Sequence, residues 1–390
     1  MIPYGRQDIT EDDLAAVRDV LTSDFLTQGP RVPEFEAAVA AATGAAHGVA
    51  ANSATSALHV ACMALGLGQG DWLWTVPNTF VASANVGIYC GAQVDFVDID
   101  ARSLNMCPDA LEAKLAQAEA TGRLPKILIP VHMTGQSADM ERIGALAKRY
   151  GVRVIEDASH AVGASFAGQS VGACTHSDIT VFSFHPVKIV TTAEGGMAVT
   201  QDADLAAIMR RAASHGITRD PDLMTHDSDG PWYYQQIELG YNYRMTEMQA
   251  ALGISQMQRL TDYVDRRRAH AVAYDAALAD LPLHLPVQDP RSQSAWHLYV
   301  VQLRLSDLTW SHRQIFEALR AAGLGVNLHY IPVHTQPYYR QMGFAQGDFP
   351  NAETYYKRAI SIPLFATMTK AQHTEIVETL RTTLAQAAAG

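Results

Sequence analysis

The run KILIPVHMTGQSADMERIGALAKRYGVRVIEDASH, residues 126–160, alternates an apolar strand, an amphipathic helix and a second apolar strand. KILIPVHM at 126–133 is almost continuously apolar. ADMERIGALAKRYG has helical spacing and closes on Gly151, and RVIEDASH opens the next strand. Strands read as unbroken apolar runs when helices cover both faces of their sheet. Strand–helix–strand units of this length build parallel sheets.

The same alternation extends upstream. TSALHVACMALGL at 55–67 suits a helix, WLWTVP at 72–77 a strand, and FVASANVGIYCG at 80–91 a helix ended by Gly91. QVDFVDID at 93–100 is a strand, and DALEAKLAQAEATG is a helix. Downstream the rhythm changes. SDITVFSFH (177–185) and GGMAVT (195–200) are strands joined by HPVKIVTTAEGG, and the helix DADLAAIMRRAASHG follows. Residues 217–240 lack periodicity and read as an ordered loop, and 245–280 as helices. From about residue 294 a smaller α+β segment is predicted: WHLYVVQLRL as a strand, HRQIFEALRAAGL as a helix, VNLHYIPV as a strand, then two helices. The predicted architecture is α/β. A large domain, 1–255, holds a mostly parallel, doubly wound sheet, and a small α+β domain spans 256–390, with the first residues free to pack on it.

Composition agrees with this plan and removes several function classes. At about 150 residues per domain, 390 residues predict two or three domains. With 48% hydrophobic and 18% charged residues, disorder is excluded. A net charge of −11 argues against nucleic-acid or anionic-membrane binding. Cys62, Cys90, Cys107 and Cys174 are scattered without a CxxC pair, which excludes a disulfide scaffold and a cysteine zinc site. MIPYGRQDITEDD does not read as a signal peptide, and no apolar run approaches the roughly 20 residues of a membrane span. A soluble, cytoplasmic protein is expected.

Open α/β sheets bind ligands beyond the carboxyl ends of their strands. After the strand near 47–51 comes NSATSAL, hydroxyls and small residues at a helix start. That suits a phosphate, although Ser53 or Thr55 as a plain N-cap suits it too. After VRVIE comes Asp157, costly to bury unless partnered. It either caps the next turn or pairs with a protonated ring nitrogen, with His160 as its orienting neighbour or as a structural histidine. After SDITVFSFH comes Lys188 in an apolar, hydroxyl-rich stretch. A desolvated lysine is a nucleophile suited to Schiff-base chemistry; alternatively its stem snorkels to the surface. A phosphate-binding helix start, the aromatic Phe80, Asp157 and Lys188, in that order, are the set that pyridoxal 5′-phosphate needs. GLGQGD at 66–71 lacks the third glycine of a dinucleotide fingerprint and follows a helix, so no NAD site is expected; the GxSxG elbow of serine hydrolases is absent; and the histidines show no HExxH or paired-ligand pattern, so no metal site is expected.

Over nearly its whole length the chain resembles the DegT/DnrJ/EryC1/StrS nucleotide-sugar aminotransferases of pyridoxal-phosphate fold type I. The matching pieces are LTQGP (26–30), NSATSALH (52–59), PNTFVASANVG (77–87), VDID (97–100), IEDASHAVGA (155–164), FSFHPVKIVTTAEGG (182–196) and GYNYRMTEMQAALG (240–253). Within the family, SFHPVK, TTAEGG and NLHYIPVHTQPYY (327–339) are most similar to the 4-aminotransferases of pseudaminic acid synthesis.

The resemblance implies a fold-type-I transferase using pyridoxal 5′-phosphate. It implies transfer of the glutamate amino group to C4 of a UDP-linked 4-keto-6-deoxy-N-acetylhexosamine, with GDP-perosamine-type or UDP-4-amino-L-arabinose-type substrates as the alternative. It further implies a homodimer with shared active sites. Lys188 matches the lysine that condenses with the cofactor aldehyde, Asp157 the ring-nitrogen partner, His160 the contact to the ring oxygen and Phe80 the stacking position. Ala54, Thr55 and Ser56 match the phosphate turn, Ser183 a hydroxyl near phosphate and substrate, and Asn242 a residue reaching the neighbouring subunit's site. Ala54, Ser183 and Asn242 also face the substrate in this assignment. Tyr4, the stretch Asp24, Phe25, Leu26 and Thr27, and the stretch His329, Tyr330, Ile331 and Pro332 match the sugar-nucleotide pocket. Arg244 and His185 receive no role. Dehydratase relatives carry histidine in place of the lysine, and a non-catalytic regulator would have lost Lys188 or Asp157; both are present.

Overall fold

A computed structural model describes residues 1–389. The first half runs β1 (Ile2–Pro3), β2 (His47–Ala51), β3 (Trp72–Thr75), β4 (Gln93–Phe96), β5 (Ile127–Ile129) and β6 (Arg153–Asp157). Then follow the short hairpin β7 (Ser165–Phe166) and β8 (Gln169–Ser170), then β9 (Ile179–Ser183) and β10 (Gly196–Thr200). Seven of these strands form one sheet in the order β2-β10-β9-β6-β5-β3-β4. Neighbours from β9 across to β4 pair parallel, and only β10 is antiparallel, to both β2 and β9. Ile127, Leu128 and Ile129 have no exposed surface, as a central strand covered on both faces requires.

The helices of this region are α1 (Glu11–Leu21), α2 (Arg31–Thr43), α3 (Ala54–Ala64), α4 (Ala82–Tyr89), α5 (Pro108–Thr121), α6 (Met140–Tyr150) and α7 (Ala203–Ala213). The quoted central stretch folds as expected from it. Asp139 caps α6 by accepting from the Arg142 amide, and Lys148 and Arg149 occupy its last turn. Gly151 ends it at φ 67°, a left-handed conformation that costs glycine little. One core joins α3 to α7 to one face of the sheet. A second, with Phe35, Phe182, Phe184 and Met197, lies on the other face beneath α2 and α8 (Glu247–Met257).

The long helix α9 (Leu260–Leu278) crosses between cores. Leu260, Tyr263 and Val264 pack on the large sheet, whereas Ala271, Tyr274 and Leu278 pack with the C-terminal segment. The predicted loop at 217–240 contains a small hairpin, β11 (Ile217–Thr218) with β12 (Gln235–Gln236). Beyond it come β13 (Leu283–His284), β14 (Ser292–Gln293), β15 (Tyr299–Leu303), α10 (His312–Ala321), β16 (Leu324–Gly325), α11 (Pro337–Arg340), α12 (Pro350–Tyr356), β17 (Ala359–Ile362) and α13 (Lys370–Ala389). β13, β15 and β17 form an antiparallel sheet, and β1 pairs with β16. Thus the first residues do pack on the C-terminal segment.

Two expectations are corrected here. VNLHYIPV is not a strand: pairing stops at Gly325, a single bridge joins Asn327 to Ser361, and the chain then runs irregularly toward the large sheet. The Val333 amide donates to the Pro77 carbonyl, so packing on a second element overrides the local β pattern. The predicted pair of C-terminal helices is α11, α12 and α13, with β17 between the last two. No helix among the described residues is long and apolar enough to cross a membrane.

Candidate active site

The parallel strands β3, β5, β6 and β9 place their carboxyl ends along one edge, and Asp157 and Ser183 stand at two of those ends. β6 ends in Asp157, which is 5% exposed. Its Oδ2 accepts from Ser83 Oγ at 2.6 Å and its Oδ1 from the Ser159 amide at 3.1 Å. The cap-like bond to Ser159 is therefore present, and the carboxylate keeps acceptor capacity beyond it. His160 does not orient Asp157 as expected. Its Nε2 lies 3.1 Å from Tyr330 Oη, its ring stands 4.4 Å from that of His297, and its Nδ1 is buried without a partner among the described residues. The turn after Asp157 carries the histidine away from the carboxylate toward the C-terminal segment.

β9 ends in Ser183, and Lys188 follows in the return loop to β10, held by its amide to the His185 carbonyl at 2.9 Å. Lys188 is half-buried, and its ammonium makes no hydrogen bond or ion pair among the described residues. Burial pulls its pKa down to about 8, against the opposing pull of the Asp157 charge. Burial, and then the nearby Lys188 charge, pulls His329 down to about 3. Burial first, and then neighbouring positive charge, depresses His160 and His297 as well. At neutral pH the histidines around the lysine are uncharged.

α3 starts beside the same edge. Ser53 is its N-cap, accepting from the Ser56 amide at 3.1 Å, and Ser56 Oγ donates to Asn52 Oδ1 at 2.7 Å. The cap accounts for Ser53, and it leaves the Ala54 and Thr55 amides without acceptors among the described residues. Gly196 pairs with both Ala51 and Ser183 in the sheet. A Cβ there would stand 2.5 Å from the Ser53 carbonyl and the Ala54 amide, so the missing side chain lets the helix start sit directly over the strand.

His329 and Tyr330 of the C-terminal segment form a wall with Tyr4, which follows the strand β1 paired to that segment. The Tyr4 and His329 rings are 5.1 Å apart, and those of Phe80 and Tyr330 6.1 Å. His329 Nδ1 meets Ser361 Oγ at 2.8 Å. Pro332 is buried, whereas Ile331 and Phe80 are exposed. Asp24, Phe25, Leu26 and Thr27 form an exposed turn docked on α8 through the Glu247 amide and the Leu26 carbonyl at 3.0 Å. Asn242 is exposed beside the α3 start, where its carbonyl lies 3.5 Å from Asn52 Nδ2. No described contact joins either of these last two groups to Lys188. Arg244 donates to Ser214 Oγ at 3.0 Å, and His185 is exposed.

Ser83, Thr79 and His297 belong to this site and were not anticipated. Ser83 stands in PNTFVASANVG, just past the end of β3, where the same strand-end rule applied to its hydroxyl finds it. His297, in WHLYVV, is a polar residue at the head of an apolar run, the signal that singled out Lys188.

Two unpartnered helix-start amides, a partly neutral lysine, a buried carboxylate with spare acceptor capacity and the unpartnered His160 Nδ1 suit a planar, phosphorylated, nitrogen-containing aldehyde. Comparisons with known proteins agree. The model of the DegT/DnrJ/EryC1/StrS aminotransferase family matches residues 7–381. The chain is 39% identical over 383 residues to the spore coat polysaccharide biosynthesis protein SpsC of Bacillus subtilis (strain 168), covering 97% of this chain and 96% of that one. Among solved structures it is similar to Helicobacter pylori PseC, an aminotransferase involved in pseudaminic acid biosynthesis, with a TM-score of 0.90, 29% identity and 99% of each chain covered. It is also similar to the PLP-form of Spr1654 from Streptococcus pneumoniae, with a TM-score of 0.88, 28% identity and 99% of each chain covered.

Proposed function

The chain belongs to the DegT/DnrJ/EryC1/StrS aminotransferase family, a family of pyridoxal-phosphate-dependent sugar aminotransferases, and from this premise we propose its reaction and the roles of its residues. It moves the amino group of glutamate to C4 of a UDP-linked 4-keto-6-deoxy-N-acetylhexosamine. The products are 2-oxoglutarate and UDP-4-amino-4,6-dideoxy-N-acetyl-β-L-altrosamine. The observation that carries this reading is Lys188. Its amine has no hydrogen-bonding partner among the described residues, burial pulls its pKa down to about 8, and it feels the charge of Asp157. The likeness to PseC supports the sugar.

Each residue then has a physical task. The cofactor, when bound, supplies an electron-sink ring and a carbonyl that stores the amino group between the two half-reactions. The Ala54 and Thr55 amides, with Ser56 and Ser183 near them, hold its phosphate at the positive end of α3. Asp157 pairs with its ring nitrogen, His160 meets its ring oxygen, and Phe80 covers its face. The neutral fraction of Lys188 accepts the α-proton of glutamate at Nζ, and the same atom returns a proton at C4 of the sugar. Uncharged His160, His297 and His329 leave the lysine as the local proton carrier. Tyr4, Asp24–Thr27 and His329–Pro332 line the sugar-nucleotide pocket.

The chain works as a homodimer in this reading. Phe25 and Leu26 are about half exposed and Trp232 and Leu239 about 70%, a distribution that suits cover by a second copy. Asn242, exposed in its own chain, then reaches the partner's site. The large domain is 1–255 and the small one 256–390. Full activity of a monomer at low concentration would remove the shared site.

A second reading concerns the sugar alone. SpsC, at 39% identity, carries a name from spore coat polysaccharide biosynthesis, and the alternative is another nucleotide keto sugar, of the GDP-perosamine or UDP-4-amino-L-arabinose type. A panel of nucleotide 4-keto sugars with glutamate, read by product mass, separates the two. Turnover of the UDP-linked HexNAc substrate is expected, and its absence overturns the first reading.

A further inference from the structure

Asp157 is held from behind by a chain of two buried hydroxyls. Ser83 Oγ lies 2.6 Å from Asp157 Oδ2, and Thr79 Oγ1 lies 2.9 Å from Ser83 Oγ. Ser83 has no exposed surface and Thr79 2%. An ionised carboxylate only accepts, so the Ser83 proton is committed to Asp157. Ser83 Oγ then accepts the proton of Thr79, and the chain has one direction: Thr79 to Ser83 to Asp157. Ser83 lies in the first turn of α4, and Thr79 lies in the bend between β3 and that helix. The loop after β3 thus reaches across β5 to the end of β6.

We propose that Ser83, backed by Thr79, is the positioning residue of this active site, fixing the Asp157 carboxylate in the plane in which it meets the cofactor's ring nitrogen. The proposal rests on the assignment of Asp157 as the ring-nitrogen partner. A hydrogen bond donated to a carboxylate favours its charged form and is stronger than one between neutral groups. The second hydroxyl polarises the first, so its removal weakens the bond without breaking it. Ser83 touches no reacting atom and acts only through Asp157.

The test is a double-mutant cycle of Ser83→Ala with Asp157→Asn, joined by Thr79→Val, which keeps shape and removes one hydroxyl. The readouts are the dissociation constant of pyridoxal phosphate from the apoenzyme, kcat and KM for both substrates, and the melting temperature of the apoenzyme. Ser83→Ala is expected to weaken cofactor binding about tenfold and lower kcat about tenfold, with both KM values unchanged. Thr79→Val is expected to cost about threefold in each. In the Asp157→Asn background Ser83→Ala should cost nothing further. If Asp157→Asn cripples the enzyme while Ser83→Ala binds cofactor and turns over as wild type, the positioning role is wrong and the Asp157 assignment survives. If Asp157→Asn itself is silent, the Asp157 assignment fails instead. If Ser83→Ala melts early and its losses persist in full beside Asp157→Asn, the hydroxyl is merely structural and the proposal is overturned. Should Ser83→Ala not fold, Thr79→Val alone decides: wild-type kcat and cofactor affinity would overturn the proposal.

Discussion

Glu156 and Asp157 are consecutive carboxylates on one strand, both 5% exposed, and they live in opposite circumstances. Successive side chains of a strand point to opposite faces. Glu156 meets a complete set of donors: His132 Nε2 at 2.6 Å, Ser177 Oγ at 2.5 Å and Thr180 Oγ1 at 3.0 Å. The Ala138 amide donates to His132 Nδ1 at 3.1 Å, which leaves the ring proton on Nε2 for Glu156. Burial pushes the Glu156 pKa up, but these donors, His132 foremost, hold it below the usual carboxylate value. Among the described residues, Asp157 has only Ser83 and the Ser159 amide, and it feels the charge of a lysine that it does not touch. A saturated buried carboxylate holds the sheet together, whereas one with acceptor capacity left over is placed for a ligand.

The contrast breaks first at the lysine. Lys188→Ala should lower turnover by on the order of 10^3-fold or more while the protein still folds and binds cofactor, as product assays and a melting curve will show. Wild-type rates would end the proposed mechanism. Next comes the titration of Lys188 in the apoenzyme, read by acylation rate and peptide mapping. The midpoint should lie near 8 rather than 10.5, a difference of about 300-fold in proton affinity. Between these values the unfolded chain holds a proton that the folded chain has released. The lysine's contribution to stability therefore rises with pH across that window. Asp157→Asn should move the midpoint lower still, because the aspartate charge opposes the burial effect. Glu156→Gln should leave it in place.

The two carboxylates can then be compared directly. Asp157→Asn should cost about 100-fold in kcat with little change in melting temperature. Glu156→Gln should cost about 1.5–3 kcal/mol of stability, read by denaturant unfolding, and leave kcat within about threefold. Equal effects of the two substitutions on kcat would erase the distinction. The smallest effect is expected at the rim. Tyr330→Phe removes the 3.1 Å contact to His160 and should raise the sugar-nucleotide KM about threefold.

Much of this was legible beforehand because it is local. Apolar runs split by helical periodicity announce a parallel sheet, and a parallel sheet aligns the carboxyl ends of its strands, so Asp157, Lys188 and the α3 start could be located by chain position alone. The irregular path of VNLHYIPV was not legible, since its alternating pattern suits a strand and only docking against Pro77 decides otherwise. The partner of His160 was hidden for the same reason: Tyr330 lies 170 residues away.

The amino-acid order by itself therefore determined which elements form, how they alternate and which strand ends carry a carboxylate, a lysine and a helix start, because propensity and periodicity act over a few residues. Only the tertiary structure decided which neighbour each of those groups meets. It saturated Glu156 and left Asp157 with acceptors to spare, and it brought Ser83, Tyr330 and His297 to the site from distant segments. Burial and hydrogen-bond satisfaction belong to the packed molecule, and no local pattern encodes them.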